Sequence, residues 1–282
     1  MAQEHEVHDH DRGLAFDVST LVSRRRALQL LAVGGLTALA GCGSSSSGGT
    51  TAAAGTTAAA GTTTAAATTG TAAAPTSAIP EETAGPYPGD GSNGPNVLTE
   101  SGIVRSDITS SFAGSTGTAD GVPLTMTFRL LDVSEGGVPL AGAAVYAWHC
   151  DREGRYSLYS EGVTDQNWLR GVQETGADGT VTFTTIFPGC YPGRWPHVHF
   201  EVYPSLADAT SAGSKLVTSQ LAFPKDACET AYGADGYAQS LSNLGSLSLD
   251  TDMVFADGYA TQLGTVTGDP ASGMTVTLNV GA

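Results

Sequence analysis

The chain has 282 residues, with 12 Lys plus Arg against 28 Asp plus Glu and a formal net charge of −16 at neutral pH. This balance excludes a nucleic-acid-binding surface and a substrate drawn in by positive charge, and it fits a solvated acidic exterior.

The first 42 residues read as an export address. Arg24, Arg25 and Arg26 precede an uncharged apolar run from Ala27 to Ala40 that is too short for a comfortable membrane span. "SRRRALQLL" resembles a twin-arginine signal, and "LAGC", ending at Cys42, resembles a lipobox whose cleavage leaves an acylated cysteine. Read instead as a basic patch before a buried helix, the segment has nothing downstream to pair with it. Residues 43–76 are almost entirely Ser, Gly, Thr and Ala and cannot bury enough apolar surface to offset their ordering entropy, so a flexible tether is expected. Residues 77–282 suit one sizeable β-rich domain. The chain beyond Cys42 holds 8 Lys plus Arg against 23 Asp plus Glu, giving −15. The expected location is outside the cell, with the lipid on Cys42 as the sole membrane contact.

Within the domain a two-residue alternation marks strands at Leu124–Val133, Ala143–Cys150, Thr180–Ile186, His197–Tyr203 and Met274–Val280. Turn-forming stretches such as "SEGGVPLAG", "ADGT" and "FPGCYPG" separate them. Helix is expected only between Asp226 and Leu244, with "KDACETAYG" as a short surface helix. The spacing predicts an all-β fold, a β-sandwich with short surface helices. Setting Cys42 aside, Cys150, Cys190 and Cys228 allow one disulfide and one free thiol, in any of three pairings.

Three histidines lie beyond the export segment: His149, His197 and His199. His197 and His199 form an HxH on a strand and therefore point to one face, while Val198, Phe200 and Val202 take the other. Alone, the pair is a weak signal that reads more readily as two hydrogen-bonded surface imidazoles. No HExxH, thiol or adjoining carboxylate supports the usual zinc patterns. What adjoins is Tyr191 in a Pro/Gly-rich turn and, further back, Tyr156 and Tyr159 in "HCDREGRYSLY". Phenolate is a hard donor and imidazole binds iron readily, so two His with two Tyr suggest ferric iron. Asp151 and Glu153 read as turn and surface residues, His149 as structural, and Trp148, Trp168 and Trp195 as packing or pocket-wall residues.

Together "PEETAGPYPGD" (Pro80–Asp90), "VRSDIT" (Val104–Thr109), "GVPLAGAAVYAWHCDREGRYS" and "TTIFPGCYPGRWPHVHFEVY" make most of the domain resemble the intradiol ring-cleavage dioxygenases, the family of the catechol and protocatechuate dioxygenases. The resemblance implies a transthyretin-like sandwich core and a non-haem Fe(3+) held by Tyr156, Tyr191, His197 and His199. Tyr191 would be the axial ligand that leaves when substrate binds. It also implies an Arg194 that stabilises charge on a bound aromatic diol, a Gln220 beside the substrate, and cleavage by O2 to a cis,cis-muconate-type diacid. Cys150 and Cys228 sit where exported members often have cysteines, which makes them the preferred disulfide and leaves Cys190 free. Gly193 stands where protocatechuate-cleaving relatives carry tryptophan, so their pocket is not assumed. The helical N-terminal region that pairs cytoplasmic members is not expected either. The few basic residues favour neutral catechols or hydroxyquinols. A metal-free transthyretin-like binding module and an HxH zinc hydrolase are the rival readings.

Overall fold

Alternation in "PLTMTFRLLD" buries Leu124, Met126, Phe128 and Leu130 on one side of β1 (Pro123–Asp132), and a one-residue slip would turn all four to solvent. At about 1.5–3 kcal/mol per buried large apolar side chain, that pattern specifies the register. The computed structural model describes residues 77–211 and 213–282. The expected export signal (1–42), Cys42 and the tether (43–76) lie outside them.

The other strands are β2 (Val138–Pro139), β3 (Ala144–Trp148), β4 (Arg170–Glu174), β5 (Thr180–Ile186), β6 (His197–Tyr203), β7 (Val217–Ala222), β8 (Thr265–Asp269) and β9 (Gly273–Gly281). One sheet runs β2-β1-β9-β8, with β5 also paired to β1; the other runs β4-β3-β6-β7. The β1–β9 pairing is parallel and the remaining ones are antiparallel. The sheets face each other across one apolar core that contains Phe128, Phe183, Val145, Val198, Phe200, Val202, Val276 and Leu278. Phe128 and Phe200, from opposite sheets, meet with ring centroids 4.8 Å apart. This is the expected β-sandwich.

A second apolar cluster covers the outer face of the four-stranded sheet. Tyr146, Trp148, Val172 and Tyr203 pack there against Val97, Leu98, Ile103, Phe112 and Tyr156 from long connections. Both faces of β6 are consequently buried along its whole length, and the outer one carries His197 and His199.

Four strands lie outside the sequence expectation. In β7, Ser219 and Gln220 are fully buried because Ser219 donates to the Pro80 carbonyl and Gln220 to that of Thr83, so no polar/apolar alternation survives. β4 and β2 are short, and β8 is mostly exposed. Two helices, α2 (Lys225–Ala231) and α3 (Ala238–Leu244), fill the expected helical stretch, while α1 (Leu206–Thr210) is an addition to it. "SLAD" is its readable signal: the Ser205 hydroxyl accepts the Asp208 N–H as an N-cap. Both α2 and α3 are more than surface elements, since Cys228, Ala231, Ser240 and Leu244 are buried.

The preferred Cys150–Cys228 disulfide is corrected. Cys150, Cys190 and Cys228 are all free and buried, with Cys150 in the outer cluster and the other two in the sandwich core. Burial, with Asp252 nearby, pushes the Cys190 thiol up to about 12; burial raises Cys150 and Cys228 as well. Protonated thiols of this kind are unreactive.

Candidate metal centre

On β6, His197 and His199 share the outer face, with ring centroids 4.7 Å apart and their Nε2 atoms 3.1 Å apart. The Nδ1 of His197 bonds the Trp195 carbonyl. A carbonyl only accepts, so the proton sits on Nδ1 and Nε2 keeps a bare lone pair. His199 stacks on Trp148 at 5.0 Å and 4°, its partner across the β3–β6 pairing. Gly85, at φ +69°, closes over the other side; a Cβ there would sit 3.1 Å from His199 Cε1.

Two phenols arrive from loops. Tyr156, in the β3–β4 connection, is buried with Oη 3.4 Å from His197 Nε2. Tyr191, in the β5–β6 connection, is partly exposed with Oη 3.3 Å from the same nitrogen. Asp151, expected at the surface, is instead buried and braces the turn before Tyr156, accepting the Glu153 and Arg155 N–H groups and the Arg155 guanidinium. Tyr159 does not join the cluster: its hydroxyl accepts the Gly89 N–H and donates to Asn93.

This arrangement oversubscribes one lone pair. The two phenols and the second imidazole all crowd His197 Nε2, which can accept one proton. A cation at their meeting point would instead receive a lone pair from each of the four groups. Burial, then the charge of Arg194, holds His197 well below the ordinary imidazole range; for His199 the causes are burial, then His197. Both rings are therefore neutral and able to ligate. Burial raises both phenols, so cation binding must release their protons. Among the described residues no group of three or more His, Cys, Asp or Glu could hold a metal. The oxygen donors that lie against the histidine pair are the two phenols.

Arg194 lies beside this cluster, 4% exposed. Its Nε donates to Asp252 Oδ2 at 3.0 Å and its Nη2 to Gln220 Oε1 at 2.6 Å. Burial opposes its charge, but Tyr191 and Asp252 outweigh that and raise its pKa. Gln220 stands opposite His199 in the β6–β7 register, which places it on the same face. All six residues singled out in the sequence are therefore brought together. Asp252 and Gly85 were missed; "LDTDMV" reads as an ordinary acidic surface turn, and nothing local marks Asp252 as buried.

His149 is structural, as expected. Its Nδ1 donates to the Cys150 carbonyl at 2.8 Å and its Nε2 accepts from the Thr185 hydroxyl at 2.7 Å. Burial above all brings its pKa down to about 4, so stability should fall as pH drops from about 6.5 towards 4, by about 3 kcal/mol in total. Thermal melts of the wild type and His149→Gln across that range check this: the variant should show a shallower acid slope, and parallel slopes would count against it.

The dioxygenase family model (Dioxygenase_C) matches residues 93–254, more than half of the chain. A hydroxyquinol 1,2-dioxygenase from Rhizobium sp. strain MTP-10005 is 39% identical over 72 residues, 26% of this chain and 24% of that protein. The protocatechuate 3,4-dioxygenase beta chain of Burkholderia cepacia is 36% identical over 117 residues, 38% and 46% of the two chains. The matched part thus spans less than half the length of these curated relatives. Among solved structures, an intradiol ring-cleavage dioxygenase from Tetranychus urticae superposes with a TM-score of 0.53 at 27% identity, covering 64% of this chain and 87% of that one.

Proposed function

This chain belongs to the intradiol ring-cleavage dioxygenase family, and from that premise we propose that it is an Fe(3+) enzyme that opens catechol-type aromatics with O2 to cis,cis-muconate-type diacids. The observation that carries the reading is the meeting of Tyr156, Tyr191 and His199 on the bare Nε2 of His197 at 3.1–3.4 Å. Two phenolates and two neutral imidazoles make a hard, anionic donor set suited to a trivalent iron. A metal-free binding module gives no reason to build such a crowded, buried nitrogen.

A ferric ion held by Tyr156, Tyr191, His197 and His199 would supply Lewis acidity to the diol and make it reactive towards O2. The chain's own groups divide the remaining work. Tyr191 is partly exposed on a loop, so it is the phenol able to turn away and take a substrate proton on Oη. Tyr156, His197 and His199 are buried and hold position. Arg194 presents positive charge to the ring as negative charge develops, in a site shielded from water. The charge of Arg194 is matched by Asp252, and every nitrogen of buried Arg170 is engaged by protein acceptors. Arg170 thus has no free nitrogen, and Arg194 no unmatched charge, for a ring carboxylate, which supports neutral catechols or hydroxyquinols as substrates.

Residues 77–282 would form the catalytic domain, exported and tethered by a lipid on Cys42, as the motifs of residues 1–42 suggest. Full-length protein made with iron available should sediment with membranes, contain about one iron per chain, absorb in the visible from tyrosinate-to-iron charge transfer, and consume O2 with catechol. Cys42→Ala should release it from membranes. A colourless, iron-free preparation that consumes no O2 would end the enzymatic reading.

A further inference from the structure

Asp252 follows a 3-10 turn (Leu249–Thr251), fifty-eight residues from Arg194, and its carboxylate is almost wholly buried. Four donors occupy it. Oδ1 accepts the Val254 N–H at 2.8 Å and the Phe255 N–H at 3.3 Å. Oδ2 accepts the Trp195 N–H at 2.7 Å and Arg194 Nε at 3.0 Å. The first pair locks the carboxylate to its own turn, so its second oxygen is a fixed point on which the β5–β6 loop hangs.

From that point two arms reach the centre. One is the Arg194 side chain, whose guanidinium plane is set by Asp252 at Nε and Gln220 at Nη2, with no hydrogen bond to Nη1 among the described residues. Gln220 is itself tied to the Thr83 carbonyl at 2.9 Å. The other arm is the Trp195 peptide: its N–H is held by Asp252, and its carbonyl takes the Nδ1 proton of His197. That bond decides which nitrogen of His197 is bare.

We infer that Asp252 is the positioning residue of this centre: one buried carboxylate aims the free edge of Arg194 at the substrate and, through Trp195, turns the bare nitrogen of His197 towards the metal position. This rests on the proposed roles of Arg194 and His197. A carboxylate that merely closed the loop would need Trp195 N–H and its own turn alone; the charged bond to Nε adds an orientation that loop closure does not require. A neutral amide at the position must place a donor against either Arg194 and Trp195 or the Val254 and Phe255 N–H groups, so it cannot hold both sides.

The test compares wild type, Asp252→Asn, Asp252→Glu, Arg194→Lys and the Asp252→Asn/Arg194→Lys double variant in the full chain. Asp252→Asn should keep its iron, lower kcat on the order of 10²-fold with far less change in KM, and shift the visible band of bound 4-nitrocatechol; Asp252→Glu should recover part of each loss. Because one of the two arms of Asp252 acts through Arg194, the double variant should lose less than the product of the two single losses, whereas fully multiplying effects would overturn the inference. A crystal structure of Asp252→Asn should show the guanidinium displaced from Gln220. That readout stands whether or not the wild type proves to be a dioxygenase, and an unmoved guanidinium overturns the inference. So does failure of both Asp252 variants to fold, which would assign the carboxylate to stability.

Discussion

His197→Ala should yield a folded chain without iron, without visible colour and without measurable ring cleavage. The imidazole is the hub of the centre, since each of the other three donor atoms lies 3.1–3.4 Å from its Nε2. Removing it leaves at most three ligands, two of them phenols whose pKa burial has raised and which then have less reason to ionise. Metal stabilisation of developing charge amounts to several kcal/mol, and at about 1.4 kcal/mol per tenfold the loss of rate is at least on the order of 10³. Tyr191→Phe is the milder counterpart: the remaining three ligands should retain iron more weakly, with a shifted charge-transfer band and slowed turnover. Iron analysis, visible spectra and O2 uptake decide both. Full colour and turnover in either variant would remove that residue from the ligand set.

Gly189→Ala should be strongly disruptive to the loops that carry the two phenols. A Cβ at that position would lie 2.5 Å from the Asp151 carbonyl oxygen, 2.7 Å from that of Arg152 and 2.8 Å from the Arg152 carbonyl carbon. All three are backbone atoms that no rotamer change can move. The Gly189 N–H also donates to the Asp151 carbonyl at 3.0 Å, so the contact cannot open without losing a hydrogen bond. Overpacking of this kind costs about 1–3 kcal/mol, a fall in Tm of roughly 2–4 °C per kcal/mol in a domain of this size. Gly189 is where the loop carrying Tyr191 touches the loop carrying Tyr156, so the strain should reach the metal: iron affinity should fall together with Tm. Calorimetry and iron titration check this, and a variant with wild-type Tm and iron affinity would show that the loops tolerate separation.

Much of the centre is legible in the order of the residues. A strand alternates its side chains by covalent geometry, so "HVHFEVY" alone puts two imidazoles on one face and three apolar side chains on the other; β5 and β6 fall on the residues their alternation marks. Tyr156 and Tyr159 are not separable that way. Three residues apart in a turn, they differ because braces from Asp151 present the first to His197, while Gly89 and Asn93 capture the second. The cysteines show the same limit, since their spacing permits a disulfide, whereas all three thiols are buried and unpaired in the folded domain.

By itself the sequence determined the β-sandwich and the placing of two histidines on one strand face, because periodicity is a property of neighbouring residues. Tertiary structure alone decided that Gln220 faces His199 across two strands, that Gly85 closes over the ring, and that Asp252 comes from fifty-eight residues away to grip Arg194. Those contacts depend on strand register and loop closure between distant segments, which no local pattern of side chains encodes.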